Sequence, residues 1–226
     1  MQLDKPMNEY VFIKRQYDDR KFLPVVLVHG LTGTAHRTID RTLAYVDRHL
    51  RVNTLLVFPT YIPPYQLLAG LDKELLSEVD TFTRQKKRYH QRMCLYGFSA
   101  GAQFVHRFTY AHPERVACCA ALSAGSWTWP DGTYSDHPSR PGFITRAPFD
   151  TPAVQRVATR KAKSGIDKVR WITGCGRQDE RYDKTRAFYK NLKETAPNTR
   201  FISFNAGHRA TPHVYKSVFQ EFLTFA

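Results

Sequence analysis

The sequence predicts an α/β protein built on a mostly parallel sheet with helices on both faces. Three observations carry this. Short, mainly apolar runs recur at 24–28, 54–58, 92–97, 116–122, 169–173 and 200–204, and runs apolar at every position suit strands covered on both faces. Segments with apolar residues three and four apart separate them, and strands separated by helices pair in parallel. Glycine, serine, aspartate and histidine crowd the C-terminal ends of several runs, where sites gather in such sheets. A chain of 226 residues fits one domain with a substantial core.

Taken in order, residues 9–16 alternate loosely around Tyr10 and Phe12 and read as a strand at the sheet margin. A turn at 18–21 leads to the first buried strand, 24–28, which ends in His29-Gly30-Leu31-Thr32-Gly33. Residues 37–50 read as a helix, with Ile39, Leu43, Val46 and Leu50 on one face. The next strand, 54–58, stops at Pro59 and Pro63-Pro64, because prolines lack the ladder donor. A helix is predicted over 70–88, with the basic run 84–88 at its C-terminal end, where cations complement the helix dipole. The strand 92–97 runs into Gly97-Phe98-Ser99-Ala100-Gly101. A helix from 102 to 111 stops at Pro113, and the strand 116–122 follows. Residues 126–150 lack periodicity, and so long a loop inside a domain is often a lid or a binding loop. We therefore expect one domain with a lid-like insertion at about 126–165. Thr151-Pro152 reads as a cap and first helical residue, with a short helix to about 163. The strand 169–173, a helix over 180–194 and the strand 200–204 complete the alternation. A last helix starts at Thr211-Pro212 and carries Val214, Val218, Phe219 and Phe222.

Composition narrows the classes. The formal charge is +14, which favours anionic partners, yet no nucleic-acid-binding module is present. A solvated basic face is the expected reading. Residues 1–10 carry Asp4, Lys5 and Glu9 and no apolar centre, so no secretory leader is read. No apolar run approaches the ~20 residues of a membrane span. Adjacent Cys118 and Cys119 should point to opposite sheet faces and make poor disulfide partners. A reduced, cytoplasmic home is expected. The sequence has no Gly-x-x-x-x-Gly-Lys phosphate loop and no His-Glu-x-x-His, and neither cofactor nor metal is expected.

The chemistry lies at the strand ends. A serine can be lifted clear of a sheet only by a sharp backbone bend, and Gly97 and Gly101 remove the side chains that such a bend would drive together. A serine hydroxyl needs a base to take its proton, and imidazole does so near neutral pH. His208 ends the last predicted strand beside Gly207. A carboxylate must then hold that imidazole in one tautomer, and Asp179 follows the preceding strand after Gly174 and Gly176. Each has a structural alternative. Ser99 caps a helix in one, His208 is a surface histidine in another, and Asp179 caps the helix 180–194. His213 is a rival base, and Glu180, Asp183 and Asp131 are rival acids. For His29 a hydrogen-bonding role beneath the neighbouring loop is favoured over a catalytic one.

With His29-Gly30 at a strand end, Gly-Phe-Ser-Ala-Gly, and the order Ser99, Asp179, His208, the chain resembles the α/β-hydrolases. The block from Leu95 to Gly125, with Ser-Ala-Gly-Ala-Gln-Phe and His112-Pro113-Glu114-Arg115, is similar to small esterases of the poly(3-hydroxybutyrate) depolymerase-like and dienelactone-hydrolase-like branches. The resemblance covers about residues 20–226. It implies a sheet of about eight strands, with the first hairpin shortened by the limited length before residue 24, and ester hydrolysis without a cofactor. It also implies an oxyanion hole from the backbone N–H groups of Ala100 and Leu31. The expected substrates are short or medium acyl esters or polyester fragments. Acyl transfer or thioester hydrolysis on the same residues is the alternative, as is a binding protein that kept the fold without the chemistry. Phe98, Tyr61, Trp127 and Trp129 are the expected substrate contacts. Trp127 and Trp129, with Tyr134, Phe143 and Phe149, either wall the site or form a satellite core. Arg140, Arg146, Arg156, Arg160, Lys161 and Lys163 in or beside the insertion either draw anionic substrates or, the favoured reading, face solvent.

Overall fold

Every apolar run of the sequence becomes a strand, and the strands join one sheet. A computed structural model gives the fold and describes residues 8–67, 69–84, 86–138 and 151–226. The sheet strands are β1 (Glu9–Arg15), β2 (Leu23–Val28), β3 (Thr54–Thr60), β4 (Met93–Phe98), β5 (Val116–Leu122), β8 (Arg170–Gly176) and β9 (Thr199–Phe204). Between them β6 (Trp127–Thr128) and β7 (Tyr134–Ser135) form a separate antiparallel ribbon. The sheet order is β1-β3-β2-β4-β5-β8-β9. Only β1 runs antiparallel, as an edge strand on β3; the other neighbours are all parallel.

The helices are α1 (Ala35–His49), α2 (Leu71–Phe82), α3 (Ala100–Ala111), α4 (Pro152–Ala158), α5 (Tyr182–Thr195) and α6 (Pro212–Phe222). They sort by face, as the alternation of strand side chains requires. Val25 and Leu27 pack with Val46 of α1 and Val214, Val218 and Phe219 of α6. Val26 and Val28 join the other layer, with Leu75 of α2, Phe104 of α3 and Phe188 of α5. Cys118 and Cys119 fall in opposite layers for the same reason. All four cysteines are free and buried.

Among the described residues the main sheet has seven strands, in keeping with about eight and a shortened first hairpin, since the single edge strand β1 stands where a full hairpin would be. Two expectations need correction. The helix expected over 70–88 ends at Phe82. Phe82 stacks on Phe12 of the edge strand at 4.5 Å, and the Thr83 N–H closes the helix on Val79 O. The basic run therefore lies past the helix end and does not serve its dipole. The helix expected to reach 163 ends at Ala158. Thr128 Oγ1 donates to the Ala158 carbonyl, and the following backbone turns away to bond Pro130 and Tyr110. Of the insertion, Phe143, Phe149, Arg140 and Arg146 lie outside the described residues. Its described part is the β6–β7 ribbon and α4, whose Val154 and Val157 pack on Leu67 with Tyr134. Among the described residues no helix is long and apolar enough to cross a membrane.

Candidate active site

Strand β4 delivers Ser99 to the carboxyl edge of the sheet. Its backbone there has φ 60° and ψ −118°, a conformation that costs of order 1–3 kcal/mol and persists only where the surroundings enforce it. They do so by close approach. A Cβ on Gly97 would strike the Gly101 carbonyl, and one on Gly101 would strike the carbonyls of Val28 and His29. Helix α3 thus enters directly against the ends of β2 and β4. Ser99 N–H bonds Leu122 O at 2.9 Å, and Ser99 O accepts from Gln103 N–H at 3.2 Å. The Ser99 hydroxyl makes no capping bond to the helix.

That hydroxyl lies 2.9 Å from His208 Nε2. His208 Nδ1 lies 2.7 Å from Asp179 Oδ2. The other carboxylate oxygen, Oδ1, accepts from the Arg181 backbone N–H at 3.1 Å and its guanidinium at 2.9 Å. Asp179 therefore both fixes the turn into α5 and faces the imidazole. Burial pushes its carboxyl up, but the hydrogen bonds from His208 and Arg181 outweigh this and hold it well below the usual carboxylate range. The carboxylate stays charged beside His208, which favours an Nδ1–H tautomer and leaves Nε2 free to accept the serine proton.

The rival groups are elsewhere. Asp131 is engaged by Thr133 in an exposed turn. Glu180 pairs with Arg181, Asp183 sits in the first turn of α5, and His213 sits in the first turn of α6. His29 is buried. Its Nδ1 bonds Gly30 O at 2.5 Å, its Nε2 accepts from Tyr61 N–H at 2.9 Å, and its carbonyl accepts from the Tyr65 hydroxyl. Burial lowers its pKa, so it is a neutral brace between the ends of β2 and β3.

The loop after β2 turns through a Gly33 N–H bond to Gly30 O at 3.0 Å. Leu31 stands at its exposed tip, and its N–H has no backbone partner among the described residues. Ala100 is the first residue of α3, so its N–H lacks an intrahelical acceptor. Both residues border the same cavity as Ser99.

Two spaces open on Ser99. One, of about 150 Å³, is lined by Gln66, Gln103, Ser126, Tyr134, His137 and Arg181, among others. Its wall is tied down by Arg107, a buried cation of α3 that donates to Thr128 Oγ1, Gln103 O and Ser126 Oγ at 2.9–3.1 Å. Burial pushes the Arg107 pKa down to about 10. The other space, of about 310 Å³, includes His208, Phe98, Arg37 and Arg41. The expected aromatic contacts divide accordingly. Phe98 lies 5.0 Å from the His208 ring, centroid to centroid, and lines the second space. Tyr61 and Trp127 are fully buried in the main core. Trp127 stacks on Phe188 at 4.0 Å, and Trp129 packs on the same ring at 5.7 Å. These three support the site from beneath, the two tryptophans on Phe188 of α5 and Tyr61 on Phe104 of α3 at 5.1 Å. Tyr134, read as a wall of the site or part of a satellite core, lines the first space, whereas Gln66, His137 and Arg181 were not read as cleft residues. Gln103 carried a usable signal, since it follows Ser99 by one helical turn.

No protein-family model and no curated protein sequence matches the chain. Solved structures do. FphF, a fluorophosphonate-binding serine hydrolase of Staphylococcus aureus, is similar with a TM-score of 0.58 and 14% identity over 96% of this chain and 98% of that one. Est1E from Butyrivibrio proteoclasticus, solved with ferulic acid bound, gives 0.63 and 16% over 96% and 94%. The Pyrococcus furiosus esterase Pf2001 gives 0.59 and 18% over 96% and 92%. The likeness is one of fold: this chain has the α/β-hydrolase fold.

Proposed function

On this α/β-hydrolase fold we propose a serine esterase that cleaves carboxylic esters through an acyl-enzyme on Ser99. The observation that carries the reading is the unbroken run of hydrogen bonds from Ser99 Oγ through His208 to Asp179. Ser99 Oγ attacks the ester carbonyl while His208 Nε2 takes its proton. The N–H groups of Leu31 and Ala100 receive the developing oxyanion, a contribution typically worth about 10²–10³ in rate per donor. The C–O bond then breaks, and His208 returns the proton to the departing alcohol. Water, activated by the same imidazole, releases the acid and restores Ser99. Asp179 stabilises the imidazolium at each stage. The space of about 150 Å³ beside Ser99 supports the short end of the expected acyl range.

The test is turnover of a short p-nitrophenyl ester by the wild type and by Ser99→Ala. The variant should lose several powers of ten in kcat and should no longer be labelled by a fluorophosphonate. Equal rates in the two proteins would refute the proposal.

A further inference from the structure

We propose that the substrate's leaving group carries an anion, and that Arg37, Arg41 and Arg209 receive it. This rests on the ester-hydrolase reading, because that reading gives the cleft two sides. When the acyl C–O bond breaks, the electron pair leaves with the oxygen, and His208 Nε2 must supply the proton. The departing group therefore lies on the His208 side of Ser99 and the acyl group on the other. The smaller space, about 150 Å³, does not include His208. The space of about 310 Å³ does, and it adjoins a further space of about 490 Å³ through Thr38, Arg41, Phe98 and His208. The site is thus built for a small acyl group and a larger departing one.

The larger side is cationic. Arg37 and Arg41 line it from α1, and Arg209 from the residue after His208; no aspartate or glutamate lines either space. Among the described residues none of the three has a carboxylate within 4.0 Å. Arg37 donates to Thr32 O at 3.2 Å. In a chain of charge +14 unpaired cations are expected; convergence on one groove beside the base is not. Arg37 and Arg41 also stand one turn apart at the start of α1, whose first turn holds no acidic residue. Like charges at that spacing, and cations at a helix N-terminus, both destabilise the helix. A bound anion would reverse both costs. Tyr45 and Tyr215, stacked at 4.7 Å, form an apolar wall at the far end of the groove for the carbon skeleton. Guanidinium forks match phosphate and carboxylate alike, so the class is an alcohol bearing one of these.

The experiment compares kcat/KM for three matched acetates: propyl acetate, 3-carboxypropyl acetate and 3-phosphopropyl acetate. A charged ester should be preferred by about tenfold or more, the size of one good charge-assisted contact, and the preference should shrink as salt is raised. Which charged ester leads separates phosphate from carboxylate. The preference should fall at least about fivefold in Arg41→Gln/Arg209→Gln and less in Arg41→Lys, which keeps the charge without the fork. A preference near one in the wild type, or one untouched by the double variant, overturns the assignment. If the wild type cleaves none of the three, the esterase reading fails. The groove is then judged by calorimetric titration with 3-phosphopropanol: binding lost in the double variant upholds the anion site, and absent or unaltered binding overturns it.

Discussion

Ser99 sits in a backbone conformation that ordinary side chains avoid, and its hydroxyl is turned to His208 rather than to the helix it begins. Asp179 divides its two oxygens between the turn and the imidazole. Replacing Asp179 with Asn should keep the turn and lose the tautomer control. We expect kcat on a short ester to fall by about 10⁴ with the unfolding midpoint little changed; full activity in Asp179→Asn would remove the residue from the mechanism. The convergence of these three residues was legible in the sequence because each follows a predicted strand and they fall in a recognisable order. The aromatic residues were less so. Composition marks Trp127, Trp129 and Tyr61 as costly to expose, but it does not say which surface buries them. Phe188 of α5 settles that for the tryptophans and Phe104 of α3 for Tyr61, and both are distant in sequence. Gln66 and Arg181 reach the cleft through the packing of separate elements and left no periodic signal.

Elements were read well wherever their own residues set their limits, and less well where a tertiary contact did. The elbow illustrates the first case. Its glycines were predicted from the bend, and the carbonyls of Val28 and His29 lie against Gly101 as the bend demands. Gly101→Ala should therefore cost about 1–3 kcal/mol or more, seen as a lower denaturant midpoint, together with loss of esterase activity. The ends of α2 and α4 illustrate the second, since Phe12 and Thr128 stop helices whose periodicity would continue. Asp72 of α2 is a further tertiary tie. His112 Nε2 lies 2.9 Å and Arg160 3.1 Å from its Oδ2. The His112 hydrogen bond leads, with Arg160, in holding its carboxyl well below the usual range against its burial. A carboxylate depressed in the folded state stabilises the fold above its unfolded pKa, about 3.9. That contribution fades as pH falls from there through the folded value. Asp72→Asn should lower stability at pH 7 by roughly 1–3 kcal/mol, and the two proteins should converge in acid. A gap constant with pH would show that the charge is irrelevant.

At the scale of the whole molecule the seven-stranded sheet carries a core on each face, and the thiols sample both. Cys94 and Cys118 belong to the layer under α1 and α6, Cys119 to the layer under α2, α3 and α5, and Cys175 ends β8. A thiol reagent should modify none of the four in the native protein, and all four should appear at the denaturant midpoint seen by circular dichroism. Early release of Cys119 alone would mean that the layers open separately. Parallel topology was visible in the alternation of runs, whereas the strand count depended on a first hairpin that the resemblance supplied and this chain reduces to one strand. The two spaces that meet at Ser99 have a consequence for how such a protein can be altered. One is walled by Gln66, α3, the ribbon and Arg181, the other by α1 and the stretch from His208 to Tyr215. Apart from the loop at Leu31 and the serine itself, the spaces of about 150 and 310 Å³ share no lining residue. Grafting a foreign ribbon should reshape the first space while leaving the second as inherited, so the two can be recombined like independent cassettes around a fixed elbow.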